Sequence, residues 1–205
     1  MTPEELAARH PRLFHLTLPS NLPGIERRGL LSASALMALH GVDRHRVRRP
    51  GAVRMDHSVH GTATLNDQSP MTERALAGCL DDGLTPGDWL ALLNGRVFFW
   101  ASEDGLATLV GARANRHRGI AILVIDTLAF AQAYAGWIEL SAINSGATIR
   151  KPARRGQETF TKMLPHSYPK WSQLRGGRDS VREVTVPGGV PDVMRCVTEV
   201  RRAGE

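Results

Sequence analysis

Two side chains in this sequence combine acid–base chemistry with an apolar, strand-like setting. His15 stands in Phe14-His15-Leu16-Thr17, and Glu183 stands in Arg182-Glu183-Val184-Thr185-Val186-Pro187. An imidazole exchanges its proton near neutral pH and holds a hydroxyl through a ring nitrogen. A carboxylate accepts a proton or stabilises a developing cation. Held on two strands of one sheet, the pair would form a nucleotide-handling site. The same residues also fit a hydrogen-bonded core histidine and a solvent-facing strand glutamate. Period-two alternation sets His15 with Thr17, against Phe14 and Leu16. It sets Glu183 with Val181 and Thr185, against Arg182, Val184 and Val186.

Other candidates surround these two. Residues 40–64 are the least regular stretch and hold Arg44, Arg46, Arg48, Arg49 and Arg54 among Gly, Pro and His. They read either as a solvated loop or as a basic lid over a phosphate-bearing ligand. Phe98-Phe99-Trp100 is core-like, yet alternation turns at least one ring away from the others, where it could stack on a base or a nicotinamide. Asn144-Ser145-Gly146-Ala147 reads as a polar turn able to present backbone N–H groups. Arg154-Arg155-Gly156-Gln157-Glu158 offers a second acidic residue beside a basic pair, for which a loop salt bridge is the simpler account. Arg113, Arg116, His117 and Arg118 cluster at a helix end, where cations are favoured in any case.

The elements that must position these groups follow from pattern and punctuation. Residues 3–9 read as a helix and 12–18 as a strand. Residues 21–28 read as a helix, capped by Ser20 or Asn21 and stopped by Gly29. Ser32 or Ser34 caps a second helix running to residue 39. Helices are expected over 70–79, 86–93, 105–115 and 128–134, and strands over 96–101, 121–126, 137–141, 158–163 and 181–186. Helices interleave early and strands cluster late, which predicts an α+β fold with a mixed sheet core and peripheral helices.

At 205 residues the chain suits one domain, residues 1–205, with a core of its own. The start, Met1-Thr2-Pro3-Glu4-Glu5-Leu6, lacks the basic and apolar regions of a secretory signal. No apolar run approaches the roughly 20 residues that span a bilayer. Two cysteines, Cys79 and Cys196, far apart and without metal-ligand spacing, fit a reducing cytoplasm and predict no metal site. The net charge of +6 favours an anionic partner such as a nucleic acid or a dinucleotide, although arginine-rich composition also follows genomic base content. No Gly-x-Gly-x-x-Gly or Walker loop is present, which argues against a Rossmann or P-loop site. Ser-His-Asp and Cys-His signatures are absent too.

The opening run Phe14-His15-Leu16-Thr17, with Asn21-Leu22-Pro23-Gly24-Ile25 and Gly29-Leu30-Leu31-Ser32, resembles that of DarT-type ADP-ribosyltransferases, toxins that modify DNA. Phe98-Phe99-Trp100 is similar to the aromatic strand of that family, and residues 141–147 to its turn after a middle strand. Arg182-Glu183-Val184-Thr185-Val186-Pro187 with Val190-Pro191 resembles its closing strand. The matches run in order over most of the chain. The resemblance implies an ADP-ribosyltransferase-like fold and NAD as co-substrate, with Glu183 catalytic. It implies NAD contacts from His15, Thr17, Ser32, Ser34 and Phe99. Arg46, Arg48, Arg49 and Arg113 are the candidate substrate-binding residues.

The implied acceptor is a nucleic acid, DNA favoured over RNA, and a toxin would bring an antitoxin or ADP-ribosylhydrolase as partner. After the aromatic strand, where that family has an Arg, this chain reads Ala101-Ser102-Glu103-Asp104. The acceptor base therefore stays open. The alternatives are an NAD-using RNA 2′-phosphotransferase-like enzyme and a non-catalytic basic nucleic-acid-binding module.

Overall fold

The computed structural model describes residues 1–111, 119–149, 152–174 and 181–203. The described helices are α1 (Pro3–Arg9), α2 (Leu22–Arg28), α3 (Ala33–Leu39), α4 (Glu73–Ala77), α5 (Pro86–Asn94), α6 (Glu103–Val110), α7 (Thr127–Tyr134) and α8 (Tyr168–Leu174). The strands are β1 (Arg12–Thr17), β2 (Leu30–Leu31), β3 (Val53–His57), β4 (Gly61–Leu65), β5 (Arg96–Trp100), β6 (Ile120–Asp126), β7 (Glu139–Ser141), β8 (Thr161–Lys162), β9 (Glu183–Pro187), β10 (Gly189–Val190) and β11 (Val197–Ala203).

Seven strands form one sheet in the order β11-β6-β1-β5-β9-β7-β8. Helices surround it, so the fold is α+β. The sheet is antiparallel at each described pairing, not mixed as expected. β6 explains why residues 120–125 read as an unbroken apolar run. Leu123 and Ile125 enter the main core, while Ile120, Ile122 and Val124 enter a second cluster with Phe14 and Leu106. A strand buried on both faces needs apolar residues at every position.

Three segments depart from the sequence reading. The stretch expected as a loop contains the β3–β4 hairpin, a separate two-stranded sheet with Asp56 opposite Thr62. Its apolar side, Met55, Ala63 and Leu65, packs on Met37 of α3. The pattern is short and interrupted by charge, which hides the alternation. Residues 158–163 form a 3-10 turn and the short β8 instead of a full strand. β11, unanticipated, covers the outer edge of β6 over Val197–Ala203.

The fold also joins the two ends of the chain that carry the motifs. β2 pairs antiparallel with β10, Leu30 opposite Val190 and Leu31 opposite Gly189. Gly29 makes this approach feasible. Its φ is +71°, and a Cβ there would stand 2.2 Å from the carbonyl oxygens of both Val190 and Pro191. Only glycine tolerates that conformation and that contact. Among the described residues, no helix is long and apolar enough to cross a membrane.

Candidate functional site

β1 pairs with β6 along its whole length but meets β5 at a single position, Phe14 opposite Trp100. Beyond it the two strands part, and the imidazole of His15 occupies the gap. Its Nδ1 lies 2.9 Å from the carbonyl oxygen of Phe98. A carbonyl only accepts, so Nδ1 carries the proton and the neutral ring keeps Nε2 as an acceptor. Burial lowers the His15 pKa, opposed by the Phe98 carbonyl, which keeps the ring neutral.

The split opens into a cavity of about 320 Å³. His15 and Thr17 line it from one face of the sheet, Leu16, Phe98 and Trp100 from the other. The α2–β2 unit forms one wall, and residues 62–67, from the hairpin and just beyond it, form another. Asn21 ties these walls together. Its Nδ2 donates to Thr17 Oγ1 at 3.1 Å and to the Thr64 carbonyl at 2.9 Å, and its Oδ1 accepts from the Thr64 N–H at 2.9 Å. Asn21 precedes α2 as anticipated, but its side chain makes this staple in place of a helix cap.

Three arginines line the cavity, and one of them, Arg96, is paired with Glu139 at 2.8 Å. Arg49 donates through Nε to the Asn66 carbonyl at 2.9 Å and through Nη1 to Asn94 Oδ1 at 2.7 Å. Burial lowers its pKa to about 10, opposed by Asp67, so it stays charged at neutral pH. Arg28 donates to the His60 carbonyl at 3.3 Å, and its buried Nε has no hydrogen-bond partner. A mostly apolar cavity with a few convergent polar groups is what a small-molecule site looks like.

Glu183 lies one strand beyond, on β9. It pairs with Trp100 on one side and Ser141 on the other. Directly paired residues share a face, so Glu183 projects on the Trp100 side of the sheet and His15 on the opposite side. Glu183 is not part of the cavity wall; Trp100, its cross-strand neighbour, is. Its carboxyl is 4% exposed. Oε1 accepts from the Ser145 N–H at 3.1 Å; Oε2 has no hydrogen-bond partner among the described residues, and the buried Ser145 hydroxyl also favours the carboxylate. Burial raises its pKa to about 7, opposed by Ser145 and by the charges of Arg155 and Arg182. The reading of Glu183 as a solvent-facing strand residue is thereby excluded. The turn at residues 144–147 does present an N–H group, and it presents it to this carboxyl.

The remaining candidates divide. Thr17 is buried at the cavity and accepts from Asn21. Phe99 cannot stack on a ligand: it is fully buried, with His15 and Phe130 against its ring at 5.7 and 4.8 Å. Its strand neighbours Phe98 and Trp100 take the cavity side instead. Ser32 is 2% exposed, caps α3 by accepting from the Ala35 N–H, and lies outside the cavity wall. Ser34 is half-buried on α3, outside the cavity wall.

Among the basic candidates, Arg46 is exposed, outside the cavity wall and paired with Asp88 at 2.5 Å. Arg48 is half-buried and also outside the wall. Arg113, with the cluster 116–118, lies outside the described residues. Arg154 pairs with Asp81, and Glu158 is exposed.

Sequence reasoning missed Arg28, the stapling role of Asn21, and Arg155. Arg28 looks like an ordinary cation at a helix end. No local pattern distinguishes buried Arg155 from exposed Arg154. Among the described residues, no group of three or more His, Cys, Asp or Glu is arranged to hold a metal ion.

Fold and site together define an α+β protein with a cavity where two central strands part, and a buried carboxyl of raised pKa on the next strand. The chain belongs to a family of unknown function, DUF7002, which matches residues 11–197. Comparison with curated proteins and with solved structures found no match.

Proposed function

We propose that this protein is an NAD-dependent ADP-ribosyltransferase acting on a nucleic acid, with a DNA base favoured and RNA as the alternative acceptor. The observation that carries the reading is the Glu183 carboxyl, buried, held through one oxygen by the Ser145 N–H and, among the described residues, without a hydrogen-bond partner at the other. An unpaired buried carboxyl oxygen is costly for a merely structural residue. It suits a group that meets a ligand hydroxyl or an acceptor proton. The sequence context of Glu183 and of His15 resembles the same enzyme class at both ends of the chain.

The cavity residues suit NAD, and Glu183, which lies outside the cavity wall, would be reached past its cross-strand neighbour Trp100. The Nε2 of neutral His15 accepts from a ribose hydroxyl, Arg49 and Arg28 supply positive charge for the pyrophosphate, and Phe98 and Trp100 offer ring faces. NAD itself supplies an ADP-ribosyl group whose nicotinamide is a good leaving group. The acceptor nitrogen or oxygen attacks C1″ as the bond from C1″ to nicotinamide breaks, and its electron pair leaves with a neutral nicotinamide. The Glu183 carboxylate holds the ribose 2″-OH, stabilises the cationic character at C1″ and takes the proton the acceptor loses. A pKa near 7 suits a group that must both take and release that proton. The net charge of +6 favours a polyanionic acceptor.

The test is incubation of labelled NAD with wild type and Glu183→Gln, offering single-stranded DNA, duplex DNA and RNA separately. Label on one polymer, lost in Glu183→Gln, is expected. Intact NAD with every polymer, in a folded wild-type protein that still binds nucleic acid, would leave only a binding role.

A further inference from the structure

Arg155 is 2% exposed, although a guanidinium is costly to bury. What it does there is visible in its contacts. Its Nη1 donates to the Ser145 carbonyl at 2.8 Å, and its Nε to the Ala153 carbonyl at 3.0 Å. The guanidinium lies 5.8 Å from the ring centre of buried Trp89. Its own backbone is fixed on both sides: the Arg155 N–H donates to the Cys79 carbonyl, and the Asp81 N–H donates to the Arg155 carbonyl. The side chain therefore reaches from a rigid strand-like bridge to a turn.

That turn carries Ser145, whose two backbone groups point to different charged partners. Its carbonyl takes the Arg155 hydrogen bond and its N–H gives the Glu183 hydrogen bond. We infer that Arg155 is a positioning residue for Glu183: it clamps Ser145 by the carbonyl, so that the Ser145 amide fixes Oε1 and leaves Oε2 as the carboxyl's reactive atom. The assignment of a reactive atom rests on the proposed role of Glu183 in ADP-ribosyl transfer; the clamp itself does not.

The arrangement also acts through charge. Arg155 and Arg182 are the two cations that favour the Glu183 carboxylate against burial. The cross-strand neighbours Trp100 and Ser141 and the turn residue Ser145 carry no charge. Loss of Arg155 removes one attraction and loosens the Ser145 donor, and both changes favour the protonated acid. Lysine would keep the charge but lacks the planar fork that reaches two carbonyls at once.

The experiment is a carbon-13 titration of protein labelled at the glutamate carboxyl carbon. The Glu183 resonance is assigned by its loss in Glu183→Gln. In Arg155→Met the Glu183 midpoint is expected to rise by about one pH unit or more, a tenfold change in ionisation ratio. In Arg155→Lys it rises by about half a unit, and the Ser145 amide resonance moves. Should Arg155→Met fail to fold, Arg155→Lys decides. An unmoved Glu183 midpoint and an unmoved Ser145 amide in a folded variant overturn the inference.

With transfer established, Arg155→Lys is further expected to lower kcat and leave NAD affinity unchanged. The titration needs no NAD. A shifted midpoint in a protein that never consumes NAD keeps the clamp and removes the transferase, and a fixed midpoint in an active enzyme does the reverse.

Discussion

The Nδ1–H of His15 donates to the carbonyl of Phe98 across 2.9 Å, and a side chain thereby stands where a backbone rung between β1 and β5 would otherwise form. The contact does two things. It satisfies a carbonyl that the splitting of the strands would leave without a partner, and it fixes the tautomer whose free nitrogen meets the cavity. His15→Ala should therefore weaken both fold and ligand binding. An unsatisfied Phe98 carbonyl costs about 1–3 kcal/mol. On the proposed function, affinity for NAD should fall more than tenfold by calorimetry. An unchanged dissociation constant in a folded variant would take His15 out of the binding site.

Glu183 links site chemistry to stability. Its pKa rises on folding from 4.5 to about 7. The native state thus binds this proton more tightly than the unfolded chain does. The contribution is fully present below pH 4.5 and is lost as pH rises through about 7. At about 1.4 kcal/mol per unit the full span is worth roughly 3 kcal/mol. Glu183→Gln keeps an oxygen for the Ser145 N–H and never ionises. Urea unfolding at pH 5 and pH 8 should show the variant gaining on wild type at the higher pH, while losing the proposed ADP-ribosyl transfer. Parallel behaviour at the two pH values would mean that the carboxyl is not held near neutrality.

Much of this is legible in the amino-acid sequence. β5 announces itself by its aromatic residues, and β6 by an unbroken apolar run, because a strand buried on two faces leaves no polar positions. The placement of His15 and Glu183 on strands follows from alternation. Their projection from opposite faces does not. That depends on the register of β5 against both neighbours, set by Phe14, Trp100 and Glu183 lying in one row. The same register decides which ring of Phe98-Phe99-Trp100 faces the core, and composition does not give it. The hairpin at residues 53–65 stayed hidden because its stabilising contacts come from Asn21 and Met37, far away in sequence.

Asn21 suggests how the hairpin wall is kept in place. Three hydrogen bonds run from this one amide to Thr17 and Thr64. At about 1 kcal/mol each, net of solvent, they hold β4 against the start of α2. Asn21→Ala should speed amide exchange across residues 61–65 by tenfold or more, while the β1–β6 ladder keeps its protection. NAD binding should weaken as the wall loosens. Exchange in the hairpin equal to wild type would show that the apolar contacts with α3 suffice.

Gly29 sets the sharpest limit on substitution. It combines a φ of +71° with a backbone approach that leaves 2.2 Å between its would-be Cβ and the carbonyl oxygens of Val190 and Pro191. Gly41 provides the control: its φ is +70°, and nothing lies within 4 Å of its would-be Cβ. Alanine at position 41 therefore meets backbone strain alone, about 1–2 kcal/mol. Alanine at position 29 meets that strain and must also push β10 away from β2, breaking the pairing that joins the N-terminal motif to the C-terminal one. The expected cost is roughly 3 kcal/mol or more. Thermal unfolding of the two variants side by side should show Gly29→Ala melting well below Gly41→Ala. Equal melting temperatures would mean that the β2–β10 contact is not held closely in solution, and the cavity wall formed by α2 and β2 would then lack its anchor.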